Sequence, residues 1–499
     1  MTSTLPDAVP RPLVVRTVAL DLTHPTVRDA LAGPLHDAGA DHAADTVPPT
    51  ADPADLLRLL PEDAPLAWVR RGDGLVAWGE TARVPVAGPT RFADAERAWH
   101  EVLRHAVVRD EVHLPGTGPV AFASFSFDDD SPAGGVVVVP RVVVGRRGDH
   151  AWLTTIDTAG TLGPAPDLDR LAADRTPVRA PGDVTYSPGA VADDDWQAVV
   201  ARAVAAIRAG GIEKVVLARD VVARTAEPLD VRWPLGRLAE RYPTCWTFSV
   251  DGLVGATPEL LVRSEKGLVT SRVLAGTIRR TGDDDADLAR AAILAHSSKD
   301  LEEHEYAVRS VAHALEPFCS STNVPDVPFV LHLPNVLHLA SDVTGVLAGV
   351  PAGGGAGAVA GDGAGADGWG TVDAEADETS GGRAGVRADA LVHPSSLALA
   401  AALHPTAAVC GTPTAAARTL IRQIEGMDRG RYAGPVGWWG ADGDGEWGIA
   451  LRSAQLDPAD PHRVRLFAGC GIVAASDPAA ELAESEAKLV PMRTALAAG

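Results

Sequence analysis

The sequence lacks any uninterrupted apolar run near the roughly 20 residues that a membrane-spanning helix needs. Residues 1–16 mix Asp7, Arg11 and Arg16 with prolines, so they do not resemble a secretory signal. Cysteine is also scarce, because only four occur among 499 residues and none forms a CxxC pair. This scarcity argues against zinc ribbons and against a disulfide framework. We therefore expect a cytoplasmic, soluble protein with reduced thiols.

Positive charge is in short supply as well. Lys and Arg number 44 against 66 Asp and Glu, which gives a formal net charge of −22. Nucleic acid and anionic membranes are bound through clustered Lys and Arg, so the composition disfavours both partners. An anionic substrate would need a few placed cations that reverse this field locally. Neither GxGxxG nor GxxxxGK[ST] occurs between a strand and a helix, which disfavours nucleotide-binding folds.

The pattern of apolar residues predicts the secondary structure in outline. Up to about residue 190, β-like runs such as 13–20 and 135–144 alternate with Ala- and Asp-rich stretches that carry no motif. From Asp193 apolar residues recur at helical spacing as far as Gly210-Gly211, and a strand is predicted at 213–222. Further strands and helices are predicted at 245–250, 260–263, 447–456 and 464–468 (strands) and around 286–315 and 414–425 (helices).

Strands and helices that interleave irregularly predict an α+β protein. The architecture that fits is a large layered α/β sandwich with mixed or antiparallel sheets and flanking helices. One segment, 348–387, is so rich in Gly, Ala and Asp that it offers little apolar surface to offset the entropy of ordering. We expect it to be a disordered insertion, with a structured lid over the active site as the alternative.

Several motifs follow one another in the second part of the chain. They are KVVLAR (214–219), TPELLV (257–262), SSKDLEEHE (297–305), LHPTAAVCG (403–411), GPVGW (434–438), IALR (449–452), AGCGIV (468–473) and ELAESEAK (481–488). Their order and spacing over residues 193–495 resemble the chorismate-utilising enzymes, and within them the isochorismate synthases. The resemblance implies the chorismate-binding type of sandwich, with 191–497 as the catalytic region and 1–190 completing the fold.

The activity that the resemblance implies is a magnesium-dependent isomerisation, in which water adds to the chorismate ring and the ring hydroxyl is lost. No obligatory protein partner is implied. The expected pathway is menaquinone biosynthesis, with siderophore or salicylate supply as the alternative. Rival activities are a salicylate synthase or an aminating synthase of anthranilate or aminodeoxychorismate type. A chorismate-binding protein without catalysis is the rival of a different class.

Acidic residues on two segments are the predicted metal ligands. Glu481, Glu484 and Lys488 have spacings that place them on one side of a helix, although a solvated helix with an ion pair shows the same pattern. Mg²⁺ prefers oxygen ligands and takes one or two protein carboxylates. By resemblance the ligands are Glu303 and Glu484, with Glu481 nearby through water. Glu302 and Glu305 compete with Glu303, since Leu301 replaces the family's usual Arg and blurs the register.

The substrate's two carboxylates call for donors with bidentate geometry, which guanidinium provides. The resemblance assigns that task to Arg452, at the end of a strand. It adds a group of pocket residues, Thr277, His338, Tyr432, Gly471 (through its backbone) and Lys488. His338 taken alone is equally typical of a packed core histidine.

Water activation and loss of a hydroxyl require a base and an acid. The resemblance assigns these roles to Lys214 and Glu259. Taken alone, Lys214 reads as a surface lysine at a strand edge, whereas burial at the start of an apolar strand would lower its pKa and favour a neutral amine. Ammonia-using relatives typically carry Gln here, although aminodeoxychorismate synthases can have Lys. The 403–411 motif is nearer to the isochorismate synthase form.

Overall fold

The protein is seen in a computed structural model that describes residues 12–24, 56–158, 176–351 and 391–497. The strands of this part of the chain, β1 to β25 in order, are Val14–Leu20, Leu66–Arg70, Asp73–Trp78, Ala82–Val86, Val107–Asp110, Val120–Phe125, Gly135–Val139, Val142–Arg147, His150–Asp157, Val184–Pro188, Lys214–Thr225, Trp246–Val250, Leu253–Thr257, Leu260–Glu265, Leu268–Arg279, Cys319–Asn323, Phe329–His332, Val336–Leu347, Val350–Pro351, Leu391–Val392, Gly411–Thr412, Pro435–Gly440, Gly445–Ile449, Ser453–Asp457 and Asp460–Ile472.

The described α-helices, α1 to α8 in order, are Arg91–Leu103, Asp193–Ala209, Arg232–Arg241, Asp284–His296, Ser298–Leu315, Ser396–Leu403, Thr414–Ile424 and Pro478–Leu496, and short 3₁₀ turns lie at Leu56–Leu59 and Glu316–Phe318. The helix predicted from Asp193 is confirmed and stops at Gly210, whose φ of 95° few other residues adopt. The helical region around 286–315 is two helices, because Ser297 is extended and its side chain caps α5.

Two large sheets hold most of these strands. The 13-stranded sheet has the order β10-β11-β25-β24-β13-β12-β2-β3-β8-β9-β1-β5, with β21 beside β11, and the 10-stranded sheet has the order β16-β18-β15-β14-β23-β22-β6-β7-β4, with β17 beside β18. Neighbouring strands are antiparallel except β1 and β5, which are parallel. Strands from before and after residue 190 occur in both sheets.

The two sheets face each other across an apolar core. Trp68 of β2 and Trp246 of β12 both donate their indole N–H to Glu446 of β23, at 2.9 and 3.1 Å, across the interface. On the next residue, Trp447 turns the other way and bonds Ser396 of α6. This alternation along β23 puts one face against the opposite sheet and the other against helices. The predicted α/β sandwich is confirmed.

Two predicted strands are wrong in the same way. The run 135–144 divides into β7 and β8, and the run 447–456 divides into β23 and β24, and in each case the two halves belong to different sheets. Apolar strand residues lie directly on both sides of each crossing, at Pro140-Arg141 and at 450–452, so the hydrophobic pattern does not reveal the change of sheet. In the second case Arg452 lies in the crossing, with a φ of 49°, rather than at a strand end.

The Gly/Ala-rich segment was expected at 348–387. Its first residues, Val350–Pro351, pair with Leu391–Val392 as a short two-stranded ladder. Residues 352–387 lie outside the described part of the chain. Among the described helices, none combines the length and apolarity required to span a bilayer.

Candidate active site

One cavity of about 200 Å³ lies where β11 and β25 approach β15, β18, α5 and α8. Every residue that the sequence assigned to the site lines it: Lys214, Glu259, Thr277, Glu303, His338, Tyr432, Arg452, Gly471, Glu481, Glu484 and Lys488. These residues come from segments that span more than half of the chain. Antiparallel pairing of β11 with β25 brings the first and last motifs side by side.

Lys214 is the first residue of β11, as predicted, and its side chain is mostly buried rather than on the surface. Its Nζ lies 2.5 Å from Oε1 of Glu303 on α5. On β25, the backbone beside it is Gly471, where an added Cβ would come within 2.8 Å of the Lys214 side chain. Glycine at this position therefore leaves the space that the lysine occupies.

Glu259 follows β13 and is buried at the floor of the cavity. Burial raises its pKa to about 8, against a partial lowering by the cations Lys214, Arg452 and Lys488. At neutral pH this carboxyl carries its proton. A protonated carboxylic acid that faces a cavity is equipped to donate a proton to a substrate oxygen.

Four acidic residues reach the cavity from two helices. Asp300 and Glu303 come from the first turns of α5, and Glu481 and Glu484 come from α8. The competing ligands do not: Glu302 is exposed, and Glu305, also exposed, pairs with Arg309. The structure thus brings together the acidic residues that the resemblance selected. Asp300 is a residue that sequence reasoning missed, although its spacing of three from Glu303 repeats that of Glu481 from Glu484.

The face of α8 toward the cavity carries an ion pair. Nζ of Lys488 lies 2.6 Å from Glu484 Oε1 and 2.8 Å from the carbonyl oxygen of Gly469. Burial alone would raise the pKa of Glu484, but the Lys488 ammonium beside it lowers that pKa. Glu484 is therefore ionised at neutral pH. Glu486 points away from the cavity, toward Arg219 and Arg493.

Three polar groups form a chain along one wall. Nη2 of Arg452 lies 3.3 Å from Nε2 of His338, and Nδ1 of the same ring lies 2.9 Å from the hydroxyl of Thr277. A bulge at Gly276, with a φ of 81°, shifts the register of β15 against β18 and turns Thr277 to this wall. His338 is both buried and part of the cavity wall, so its two interpretations are compatible. Nη1 of Arg452 is buried without a hydrogen-bond partner among the described residues.

An aromatic pair and a glycine close the opposite side. Tyr432 stacks on Phe467 with ring centroids 5.0 Å apart, and burial raises the pKa of Tyr432 to about 12. An added Cβ at Gly469 would lie 3.1 Å from the Tyr432 hydroxyl oxygen. Because the pKa of Tyr432 lies far above neutral pH, its hydroxyl is protonated and can donate to an anion in the cavity.

The described cavity combines cations, protonated donors and a set of carboxylates within one enclosure, which is the composition that a dicarboxylate substrate and a divalent cation need. The family described as chorismate binding enzyme matches residues 51–351 and 383–497. The chain belongs to this family of chorismate-binding enzymes.

Within this family, the chain is similar to several isochorismate synthases. The salicylate biosynthesis isochorismate synthase of Pseudomonas aeruginosa is 32% identical over 458 residues, which cover 87% of this chain and 85% of the relative. Isochorismate synthase DhbC of Bacillus subtilis is 36% identical over 314 residues, 61% of this chain and 68% of the relative. The solved menaquinone-specific isochorismate synthase MenF of Escherichia coli superposes with a TM-score of 0.67 at 22% identity, covering 98% of this chain and 95% of that one, and it supports the fold.

Proposed function

We propose that this chain is an isochorismate synthase in which Lys214 is the base and Glu259 the acid. The isomerase activity predicted from the sequence is supported by relatives named isochorismate synthases at over 30% identity. The observation that carries the assignment of roles is the pair itself: a lysine and a protonated carboxyl that line the same cavity.

The proton balance of the reaction fits this pair. A water molecule attacks one ring carbon and gives a proton to the Lys214 amine, while the double bonds shift. The Glu259 carboxyl gives its proton to the departing hydroxyl, which leaves as water. One proton is taken and one is given, so the conversion of chorismate to isochorismate is a net isomerisation. Each turnover leaves Lys214 protonated and Glu259 deprotonated, so a proton returns from the lysine to the carboxylate before the next one.

The cavity contains hydrogen-bond donors for the carboxylates of the substrate. Arg452 keeps its Nη1 free of protein acceptors within the described residues, and the Tyr432 hydroxyl is a protonated donor. Burial of Arg452 strengthens a bidentate bond to a carboxylate, since water does not compete there. Arg452 and Lys488 supply positive charge within a chain whose net charge is −22.

Magnesium is the metal that the donor set fits. Carboxylates of Glu303, Glu481, Glu484 and Asp300 face one cavity, and oxygen ligands of this kind suit Mg²⁺. Glu303 and Glu484 would hold the ion, with Glu481 and Asp300 behind them. When bound, the ion supplies positive charge that orients a substrate carboxylate and offsets developing negative charge. Lys214 pairs with Glu303 and Lys488 with Glu484, so Lys214 can act as a base only after its ammonium has released a proton.

The test is incubation of the protein with chorismate, with and without Mg²⁺ and with ammonium present, followed by separation of products by chromatography and mass. We expect isochorismate that depends on Mg²⁺, with no aminated product. Salicylate with pyruvate, or an aminated product, would assign a sister activity instead. Unchanged chorismate that nevertheless binds would indicate a binding protein. For the pathway we propose menaquinone biosynthesis, tested by whether a strain lacking its own enzyme recovers menaquinone.

A further inference from the structure

The strand that carries Lys214 has a gap along one edge. Strand β25 pairs with β11 along its whole length on one side. On the other side, β21 pairs with Lys214 and Val215, and β10 pairs only from Val221 onward. Between them, residues 216–220 have no neighbouring strand within the described chain, and backbone bonds reach only the two ends of this gap, where Val216 donates to Cys410 and Asp220 accepts from Gly189. Buried backbone groups without partners are costly, so other groups must satisfy them.

Side chains fill this gap. Glu425 accepts the N–H of Ala218 at 2.8 Å, and Arg429 donates to the carbonyl oxygen of Val216 at 2.7 Å. The indole of Trp196 donates to the Ala218 carbonyl at 3.0 Å. The edge of β11 is thus completed by a carboxylate, a guanidinium and an indole in place of a strand.

Glu425 and Arg429 also bind each other. Their bond is bidentate, with Nε to Oε1 at 2.7 Å and Nη2 to Oε2 at 2.6 Å. The side chains are only 1% and 3% exposed, and the guanidinium lies over the ring of Phe127 at 4.2 Å. A buried ion pair loses much solvation, so it is weak evidence for stability and better explained by a need for fixed geometry.

A third contact links this pair to the other cavity wall. Nη1 of Arg429 donates to the carbonyl oxygen of Val409 at 2.9 Å, in the segment that leads into β21. Val216, Ala218, Val409 and Arg429 all line the cavity, and Lys214 shares a strand face with Val216. Each nitrogen of Arg429 already donates to a protein acceptor, whereas Arg452 retains an unpartnered nitrogen. Arg429 is therefore engaged by the protein itself, whereas Arg452 can still donate to a ligand.

We propose that the Glu425–Arg429 pair is a positioning device that fixes the start of β11, and with it Lys214, against the cavity wall at Val409. The inference rests on the proposed role of Lys214 as base. Lysine at position 429 keeps the charge but lacks the planar fork that reaches Glu425, Val216 and Val409 together.

Steady-state kinetics of Arg429→Lys with chorismate and saturating Mg²⁺ test it. Misplacement of a catalytic group by about 1 Å can cost on the order of 100-fold, so we expect kcat to fall about 10- to 100-fold. The KM for chorismate should stay within about threefold, since binding groups are untouched. The loss must exceed any drop in the folded fraction, measured by circular dichroism at the assay temperature.

Two further variants keep the test decisive. Glu425→Gln preserves shape and most hydrogen bonds, and we expect an intermediate loss of kcat, about threefold to tenfold, should Arg429→Lys fail to fold. Arg422→Lys is the matched control, because Arg422 lies near the end of α7 just before this pair and its ion pair with Asp128 is exposed; this variant should leave kcat unchanged.

Each contrary result has its own meaning. Unchanged kcat in folded Arg429→Lys and Glu425→Gln overturns the proposal. A raised KM with unchanged kcat also overturns it, because Arg429 would then be a substrate ligand. Near-normal turnover by Lys214→Ala in the same series would reject the base assignment, whereas an inactive Lys214→Ala beside an unaffected Arg429→Lys would reject the positioning role alone.

Discussion

Nη2 of Arg452 and Nε2 of His338 lie 3.3 Å apart, and this contact fixes the direction of a chain of hydrogen bonds. Arginine can only donate, so Nε2 of His338 must accept. Burial lowers the pKa of His338 well below its usual range, so its ring is neutral and its proton is on Nδ1. Nδ1–H then donates to the oxygen of Thr277. The Thr277 hydroxyl hydrogen is left to point into the cavity as a donor.

Thr277→Val is expected to raise the KM for chorismate about tenfold, because it removes that donor from a buried site, where a lost hydrogen bond costs about 1–3 kcal/mol. Thr277→Ser retains the hydroxyl and should stay within about threefold of wild type. Steady-state kinetics compare the two variants. Equal KM values for Thr277→Val and wild type would show that the hydroxyl does not contact the substrate.

Lys214→Ala is expected to lower kcat at least about 100-fold, the usual contribution of a general base. The fold should remain, and circular dichroism and the melting temperature check this. Lys266→Ala is the matched control, because Lys266 is exposed and does not line the cavity. Near-normal turnover of Lys214→Ala would remove the base assignment.

The reaction should lose rate as the pH rises through about 8, where the Glu259 carboxyl gives up the proton that the mechanism uses. A pH profile of kcat from 6 to 9.5 measures this. Glu259→Gln should be at least about 100-fold slower at every pH, since an amide is not an acid. An alkaline limb that persists in a still-active Glu259→Gln protein would assign the titration to another group.

The same carboxyl makes a prediction about stability. Its ordinary pKa of 4.5 rises to about 8 in the folded protein, so the folded state holds a proton that the unfolded chain releases between these values. The wild-type free energy of unfolding therefore falls as the pH rises through this window. Glutamine does not titrate, so the melting temperature of Glu259→Gln relative to wild type should increase from pH 5 to pH 8. A constant difference would contradict the raised pKa.

Glu484→Gln and Glu303→Gln should each weaken the response to Mg²⁺, because each removes one charge from the proposed ligand set. The measurement is the rise in melting temperature on adding Mg²⁺ without substrate, which should shrink, together with the Mg²⁺ concentration for half-maximal activity, which should increase about tenfold or more. Glu305→Gln is the control on α5, where the native side chain is exposed. An unchanged Mg²⁺ response in Glu484→Gln would place the metal elsewhere.

The sequence by itself determined the family, the α/β sandwich and the identity of the cavity residues, because charged and glycine residues in an ordered set of motifs carry that information locally. Helix α8 illustrates this, since the spacing of Glu481, Glu484 and Lys488 already places them on one face. The pairing of Lys214 with Glu303 was not predicted, since the two residues lie 89 positions apart in the chain and no local pattern links them.

Only the tertiary structure decided where strands cross between sheets and what holds the catalytic strand in place. The crossing at Arg452 lies within a continuous buried stretch, so hydropathy has no signal for it. The unpaired edge of β11 depends on which strands become its neighbours, and a local pattern does not specify that choice. In sequence, Glu425 and Arg429 are two opposite charges at and beyond the end of the helix predicted at 414–425, and only their burial against this edge reveals their role.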